Sequence, residues 1–289
     1  MRAERHFSRK VKFDNRQISI SHNISLAQYL NFQSMLDFIE LPNILFFDIE
    51  TVPAKPNFTD LNETWQELWK IKARSILKKA KDEEVSDEDA AKTYESAGIY
   101  AEFGQIVCIS VGIFTRDKAT GELKTHLKSY ASADEAELLR GFADMLRSKY
   151  DNYERDRRFL CGHNIKEFDV PYICRRMMLH QLPLPKIIDV AGKKPWETKQ
   201  FLDTMELWKF GDNKAYTSLK LLAAAFDIPS PKDDIDGSQV RGIFYDDNDV
   251  ERIARYCEKD VVATMHLMLR FKLLPMRLTI DGKVIEEER

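Results

Sequence analysis

The sequence is short of cysteine, and its four cysteines form no C-x-x-C pair. All of them lie in apolar segments, which disfavours a disulfide framework or a zinc site and favours a reducing, cytoplasmic location. No apolar run approaches the roughly 18–20 residues of a membrane-spanning helix, so no contact with a membrane is expected. The four cysteines are Cys108, Cys161, Cys174 and Cys257.

An excess of charge of one sign is also missing. The 289 residues include 44 Lys and Arg against 47 Asp and Glu, and a net charge of −3 excludes a globally basic, histone-like binder. Residues 1–34 are basic and polar without the apolar core of a signal peptide, so they are expected to be an extension of uncertain order. Residues 35–289 are expected to form a single domain, because the chain is 44% hydrophobic and can bury a sizeable core.

The segment NILFFDIETVP, residues 43–53, combines a buried-strand pattern with two carboxylates. The four residues after the asparagine are apolar, which is typical of a central strand covered on both faces. Side chains two positions apart on a strand share a face, so Asp48 and Glu50 point the same way before Pro53 ends the strand. Such like charges repel each other unless a cation or a proton intervenes. A metal site and a strand that ends in solvent are both compatible with this segment.

Hydrophobic periodicity predicts an order of strands and helices that is typical of one α/β core. The charged section at about 57–100 is predicted to be a helical insertion after the first strand. A helix over 132–150 is predicted to begin with Ser132 as N-cap and Glu135 completing a capping box. Further strands are predicted at 105–114, at 123–131 and in RFLCGHN, and further helices near FDVPYICRRMMLH, at 218–226 and in DNDVERIARYCEKDVVATMHLMLRF.

Two more acidic residues stand where apolar periodicity does not require them. Asp169 lies in CGHNIKEFDVPYICRRM, where Pro171 suits the first turn of a helix, so Asp169 is either a capping residue or part of a site. Asp260 borders the apolar stripe of the late helix, one turn beyond Tyr256, so both side chains can project into one space. A surface position on a long helix is the alternative for Asp260.

The three motifs DIE, HNIKEFD and YCEKD occur in this order along the chain. This arrangement resembles the DEDD, or DnaQ-like, superfamily of 3′–5′ exonucleases in its tyrosine-bearing DEDDy branch. More narrowly, it is similar to the predicted exonucleases related to the proofreading domain of family B DNA polymerases, which FLDTMELWKFG and PKDDIDGS also resemble. The resemblance covers roughly residues 43–272. It implies a ribonuclease H-like fold, with a mixed central sheet flanked by helices.

Carboxylates are hard oxygen donors, and no His–Cys set has ligand spacing, so Mg²⁺ or Mn²⁺ suits the four acids better than zinc. The resemblance implies two such divalent cations. Asp48 would bridge both of them, and Asp169 would act through water ligands. Glu50 and Asp260 would complete one of the two sites. Tyr256 would orient the attacking water, since a phenol with an ordinary pKa near 10 is a poor base.

Substrate contacts are harder to predict than the acids. Phe168, beside Asp169, suits either stacking on a terminal base or a place in the core. His163 and Asn164 are expected to tie the end of their strand together through side-chain hydrogen bonds rather than to contact a nucleotide directly. The candidate substrate-binding residues are Thr51, Asn164, Phe168, Ser218 and Leu219.

The function implied by the resemblance is metal-dependent 3′–5′ exonuclease activity that releases nucleoside 5′-monophosphates from DNA 3′ ends. The expected partner is the 3′ end of a single strand, with DNA favoured over RNA. An exoribonuclease remains open, because the same four acids and tyrosine serve RNA-processing relatives and no residue reports recognition of a 2′-hydroxyl. A catalytically silent nucleic-acid-binding module is the alternative from another class. The intact acidic set argues against it, because carboxylates without a metal would repel phosphate.

Overall fold

The structure, a computed structural model, describes residues 35–212, 216–228, 235–274, 278–280 and 283–285. The chain divides into two compact units, Met1–Phe38 and Ile39–Arg289, and the described part of the first is a 3₁₀ helix at Met35–Phe38. The predicted extension, residues 1–34, lies outside the described residues, as does 231–234 of the PKDDIDGS segment. A domain beginning at residue 35 therefore stays a prediction.

A mixed sheet forms the centre of the second unit. Five strands lie in the order β5-β4-β1-β2-β3, and two short strands extend the sheet beyond β3 in the order β6-β7. β1 is antiparallel to β2 and parallel to β4, β2 is antiparallel to β3, and β5 is parallel to β4. The strands are β1 Ile44–Pro53, β2 Gly104–Arg116, β3 Leu123–Ala131, β4 Phe159–Gly162, β5 Phe201–Asp203, β6 Leu278–Ile280 and β7 Lys283–Ile285.

Helices flank this sheet, and two of them fall in the predicted insertion after β1. The predicted α/β class is confirmed, with the mixed, helix-flanked sheet that is expected of a ribonuclease H-like fold. Short 3₁₀, α- or π-helical segments connect several elements, among them the π-helical Ile243–Asp247. The numbered helices are α1 Glu63–Ile76, α2 Asp87–Tyr94, α3 Glu135–Tyr150, α4 Asp169–Leu179, α5 Thr204–Lys209, α6 Leu219–Ala225 and α7 Val250–Phe271.

Strand β1 is buried on both faces, as its apolar run predicts. Leu45 and Phe47 pack into the main core cluster with residues of α3 and α4. On the opposite face, Phe46 meets Phe114 of β2 edge to face, with ring centroids 5.6 Å apart. Helix α7 packs against β1 and β2. A polar side chain on the second face of β1 therefore lies between the sheet and α7.

β1 is longer than the apolar run suggests, and Asp48 and Glu50 lie inside the strand rather than at its end. Asp48 pairs with Ser110 in the β1–β2 register, and pairing continues to Pro53 opposite Gly104. The strand continues because β2 is thirteen residues long and supplies partners beyond the apolar run. It ends at the proline, which has no backbone N–H for further pairing.

The predicted capping box of α3 is wrong. The N-cap is Asp134, whose side chain accepts a hydrogen bond within the first turn, while Ser132 accepts one from the backbone N–H of Asp134. Glu135 turns into the core, where it accepts a 2.7 Å hydrogen bond from the backbone N–H of Ile106 and forms an ion pair with Arg176. A buried carboxylate needs such partners, and this need places Glu135 away from the cap.

Candidate active site

The site begins on β1, where alternation places two carboxylates on one face. Asp48 and Glu50 are both half-buried, while Ile49 between them is buried among the residues of the opposite face. Directly after Glu50 the register with β2 shifts, because Glu50 pairs with Cys108 whereas Thr51 pairs with Ile106. This irregularity lies beside the carboxylate pair, where a bulge can re-aim side chains.

Helix α4 contributes a third carboxylate. Asp169 is the first residue of α4 and is only 3% exposed. Its carboxylate accepts a hydrogen bond from the backbone of Ile49, as well as from its own backbone. The N-cap position belongs to Phe168, which makes no side-chain capping bond. Asp169 is therefore not a simple N-cap, and it links the start of α4 to β1.

Helix α7 brings the last predicted residues to the same face of the sheet. Tyr256 and Asp260 are half-buried, and Tyr256 packs against the apolar cluster between α7 and the strands. Cys257 is fully buried between them, and its thiol donates a hydrogen bond to the backbone oxygen of Asp48 at 3.4 Å. The helix is thus in direct contact with the strand that carries the first two acids.

The four predicted acids lie within electrostatic reach of one another. Burial raises the pKa of Asp48 well above its usual value, and the negative charges of the three other acids raise it further. Burial likewise raises the pKa of Glu50, and Asp260 is the largest contributor among the neighbouring charges. Burial raises the pKa of Asp169 to about 7. Without a cation, such a cluster lowers its repulsion by holding protons.

The donor atoms are close enough for one ion to contact several of them. Asp48, Glu50 and Cys257 each present a ligand atom, and these atoms all lie within 4.8 Å of one another. The carboxylates of Asp169 and Asp260 add further oxygen donors within electrostatic reach of this group. A set rich in carboxylate oxygen fits the preference of Mg²⁺ and Mn²⁺.

An open cleft of about 670 Å³ borders this cluster. Glu50, Thr51 and Phe168 line it at the end next to the acids, and Arg241 and Arg252 contribute positive charge to its lining. The other lining residues come from β1, from the 3₁₀ helix before β2, and from the loop and helical turns before α7. They are Ile49, Pro53, Glu95, Gly98, Ile99, Ile235, Gly237, Ser238, Gln239, Gly242, Ile243, Asp246 and Asp247.

Two of the five candidate substrate contacts lie on the cleft. Thr51 forms a side-chain hydrogen bond with Tyr172, and the Phe168 ring packs on the same tyrosine with centroids 5.4 Å apart. Ser218 is the N-cap of α6, and Leu219 packs in an apolar cluster with other residues of that helix. Neither of them lines the cleft in the described part of the chain.

The strand-to-helix loop after β4 is held by hydrogen bonds, as predicted for His163. Its Nδ1 lies 3.0 Å from Thr204 Oγ1, and its Nε2 lies 2.8 Å from the backbone oxygen of Thr217. Asn164 adopts a left-handed conformation with φ 63°, and its backbone N–H donates to Asp203 Oδ1 at 3.0 Å. The Asn164 side-chain oxygen is buried without a hydrogen-bond partner among the described residues.

Asp203 is the supporting residue that the sequence analysis missed. It is buried at the end of β5 and accepts hydrogen bonds from the backbone N–H groups of Asn164, Lys166 and the first turn of α5. Its charge also raises the pKa of Asp169. The signal was present, because an aspartate directly before a helical segment, as in LDTMEL, is typical of an N-cap.

Comparison with protein families gives a match over most of the chain. The model of a family described as "Predicted 3'-5' exonuclease related to the exonuclease domain of PolB" matches residues 99–288. The match contains Asp169, Tyr256 and Asp260, whereas Asp48 and Glu50 precede it on the strand beside β2. A search of curated proteins finds no match. Among the described residues, no helix has the length and apolar character that crossing a membrane requires.

Proposed function

The chain belongs to this family of predicted 3′–5′ exonucleases, and we propose that it removes nucleoside 5′-monophosphates from DNA 3′ ends by metal-dependent hydrolysis. The convergence of four carboxylates from β1, α4 and α7 beside an open cleft carries this proposal. Burying like charges together costs free energy. Divalent cations bound for phosphodiester hydrolysis would offset the repulsion within such a cluster.

The proposed cofactors are two divalent cations, Mg²⁺ or Mn²⁺. Asp48 would be shared by both, while Glu50 and Asp260 would complete one position and Asp169 would act through water. When bound, the cations supply positive charge for the attacking and leaving oxygens of an in-line displacement. The residues fit this role because all four donors are carboxylates. Burial first, and then repulsion among these acids, raises the pKa values of Asp48 and Glu50, and a bound cation would offset both effects.

Tyr256 is proposed to position the attacking water. It lies one helical turn before Asp260, and its body packs against the apolar cluster under α7. That packing restricts the ring, so the phenol oxygen can serve as a fixed hydrogen-bonding group at the edge of the acidic cluster. A free phenol has a pKa near 10, which makes positioning a better role for it than proton abstraction at neutral pH.

The cleft is the proposed path of the terminal nucleotides of a single strand. Its volume of about 670 Å³ is in the usual range of ligand sites. Phe168 offers a ring for stacking, which tolerates any base, and Thr51 lies beside Glu50 where the strand would end. Arg241 is held on the far wall by hydrogen bonds to the backbone oxygen of Pro56. Ser218, Leu219 and Asn164 remain proposed substrate contacts of secondary weight.

The preference for DNA follows from the relation of the family to the exonuclease domain of PolB. This preference is tested by comparing the rates at which the protein cleaves matched DNA and RNA single strands in Mg²⁺ or Mn²⁺. Faster cleavage of DNA is expected. Faster cleavage of RNA would establish an exoribonuclease instead, and binding without turnover of either strand would establish a silent binding module. Asp144→Ala is a suitable control variant, since Asp144 is an exposed acid that pairs with Arg147 on the surface of α3.

A further inference from the structure

A second cavity, of about 630 Å³, lies on the face of the sheet opposite Asp48. Its floor is formed by side chains of the three central strands. Leu45 pairs with Ile113, and Ile113 pairs with His126, so these three side chains share one face. Alternation along β1 places this face on the other side of the sheet from Asp48. Helix α3 covers the face only in part, and its Met145 borders the cavity.

The floor of this cavity is apolar, and part of its apolar surface is accessible. Ile113, Tyr130 and Met145 are only partly buried where they pack against the main core cluster. The buried side chains of Leu45 and Val111 lie beside them. Single exposed apolar side chains are ordinary on a protein surface. A concave group of them with a polar rim is typical of a binding site.

The charged side chains that line this cavity are all positive in the described part of the chain. Four cationic side chains come from β2, β3, α3 and the segment before β4, and no aspartate or glutamate lines the cavity. Neither of the two lysines forms an ion pair with a carboxylate among the described residues. The net charge of the chain is −3, so the rim is a local reversal of sign. The four cations are Arg116, Lys128, Lys149 and Arg158.

The surroundings favour an acidic protein segment over a nucleic acid as the occupant. Single strands stack their bases on open aromatic faces, but Lys128 lies over the Tyr130 ring at 4.3 Å and Tyr150 is only 6% exposed. The accessible aliphatic side chains of Ile113 and Met145 suit an inserted leucine or phenylalanine instead. Cations on four elements can contact several carboxylates of one segment, whereas a small anion would engage one or two of them.

We propose that this cavity docks an acidic segment of a partner protein, with a bulky apolar side chain on the floor and carboxylates on the cationic rim. Complementary charge would speed association and select the partner, and burial of the apolar side chain would stabilise the complex. Asp48 and Glu50 lie on the other face of the sheet, so a docked partner leaves the proposed active site open. The docking does not rest on the proposed exonuclease function.

Fluorescence anisotropy with synthetic peptides, in chelator and without nucleic acid, tests the docking. The probes are labelled peptides that combine several acidic residues with leucine and phenylalanine in different orders. We expect at least one of them to bind the wild type, and to lose about 10–100-fold in affinity when its apolar residues are replaced by serine. This comparison uses the intact protein, so it does not depend on the folding of any variant. Binding should also weaken at high salt.

Charge reversal on the rim provides the matching test on the protein. In the double variant Lys128→Glu/Lys149→Glu, peptide affinity should fall by about 10-fold or more, because like charges then face each other. Both lysines are exposed, and circular dichroism shows whether the variant is folded. Lys81→Glu is the matched control, since Lys81 is exposed in the turn between α1 and α2 and lines neither cavity in the described part of the chain.

The proposal is overturned if no acidic apolar peptide binds at millimolar concentration, or if the double variant and Lys81→Glu bind equally well. Equal affinity of the serine-substituted peptides would also overturn it, since charge alone would then account for the binding. A single-stranded oligonucleotide that displaces the peptide and binds the double variant more weakly would identify a nucleic-acid surface instead.

Hydrolysis of a DNA single strand in Mg²⁺ is measured separately, and the double variant should keep the wild-type rate. A lower rate in the folded double variant would place the cavity on the path of the substrate and overturn the docking of a protein partner. Peptide binding by a protein without hydrolytic activity would support the docking and overturn the proposed function alone.

Discussion

At the scale of single residues, neighbours on one helix have different expected roles because different groups surround them. Asp260 acts electrostatically on Asp48 and Glu50 across the face of the sheet, whereas Tyr256 packs against apolar side chains. Their spacing of one helical turn was apparent from the sequence. Their surroundings were not, because they depend on strands more than a hundred residues away.

Replacement of these two residues should therefore have separable effects. Asp260→Ala removes a cation ligand, so cation binding should weaken and turnover should nearly disappear. Tyr256→Phe removes only a positioning hydroxyl, so cation and single-strand affinities should stay near wild type while the single-turnover rate falls about 10²-fold. Isothermal titration and rapid-quench kinetics measure these quantities. A full chemical rate in Tyr256→Phe would make Tyr256 a packing residue.

Asp169 should give the metal-free protein an unusual dependence of stability on pH. Burial raises its pKa to about 7 from an ordinary value of 3.8, so between these values the folded state binds more protons than the unfolded state. Stability should therefore fall as pH rises from about 4 to about 7. Asp169→Asn should flatten this fall without abolishing it, because Asp48 and Glu50 have shifts in the same direction.

Denaturant midpoints measured with chelator present, at several pH values, test this dependence. We expect the wild type to be more stable at pH 4.5 than at pH 7.5. We expect this difference in stability to be smaller in Asp169→Asn. Equal slopes in the two proteins would show that Asp169 titrates normally and is not held in the buried cluster.

At the scale of elements, prediction succeeded where periodic segments are long and failed where they are short. The observed bounds are close to the predicted ones for β2, β3 and α7. These segments are long enough for their hydrophobic periodicity to be recognised. The three-residue strand β5 has too few residues for an alternation to be recognised, so the place of Asp203 beside the loop after β4 was not predicted. The capping box of α3 failed because long-range partners of Glu135 outweighed a local capping rule.

Asp203 should matter more than an ordinary helix cap. It is buried and accepts hydrogen bonds from four backbone N–H groups, two of them in the loop that leads to Asp169. Asp203→Ala should lower the free energy of unfolding by about 3 kcal/mol, because bonds to a charged acceptor contribute more than neutral ones. Asp134→Ala, at the exposed cap of α3, should cost about 1 kcal/mol. Urea unfolding compares the two, and equal losses would contradict a special role for Asp203.

At the scale of the whole molecule, the sheet unites acids that are remote in sequence. The order β4-β1-β2 places the DIE strand at the centre, with the start of α4 at one side and α7 across one face. The three ordered motifs and their likeness to the exonucleases made this meeting predictable. The cleft was not predictable, since its far wall is built from irregular segments before α7 without periodic patterns.

The helical insertion forms one wall of that cleft, so its own core should influence the rest of the molecule. Trp69 is fully buried and its indole N–H donates to the backbone oxygen of Ala90 at 2.9 Å, whereas Trp65 is 39% exposed. Trp69→Ala should cost about 3–5 kcal/mol and weaken single-strand binding by loosening the wall. Trp65→Ala should cost less than about 1 kcal/mol. Similar losses in both variants would show that Trp65 is an equal part of the insertion core.

The proposed function depends on metal-dependent removal of nucleotides from a 3′ end. The most direct measurement is a time course with a DNA single strand labelled at its 5′ end, in Mg²⁺ or Mn²⁺, for the wild type and Asp48→Ala. We expect a descending ladder of shortened, still-labelled products with the wild type, and none with Asp48→Ala or with excess chelator. Undiminished hydrolysis in excess chelator, or immediate release of a labelled mononucleotide from the 5′ end, would contradict the account.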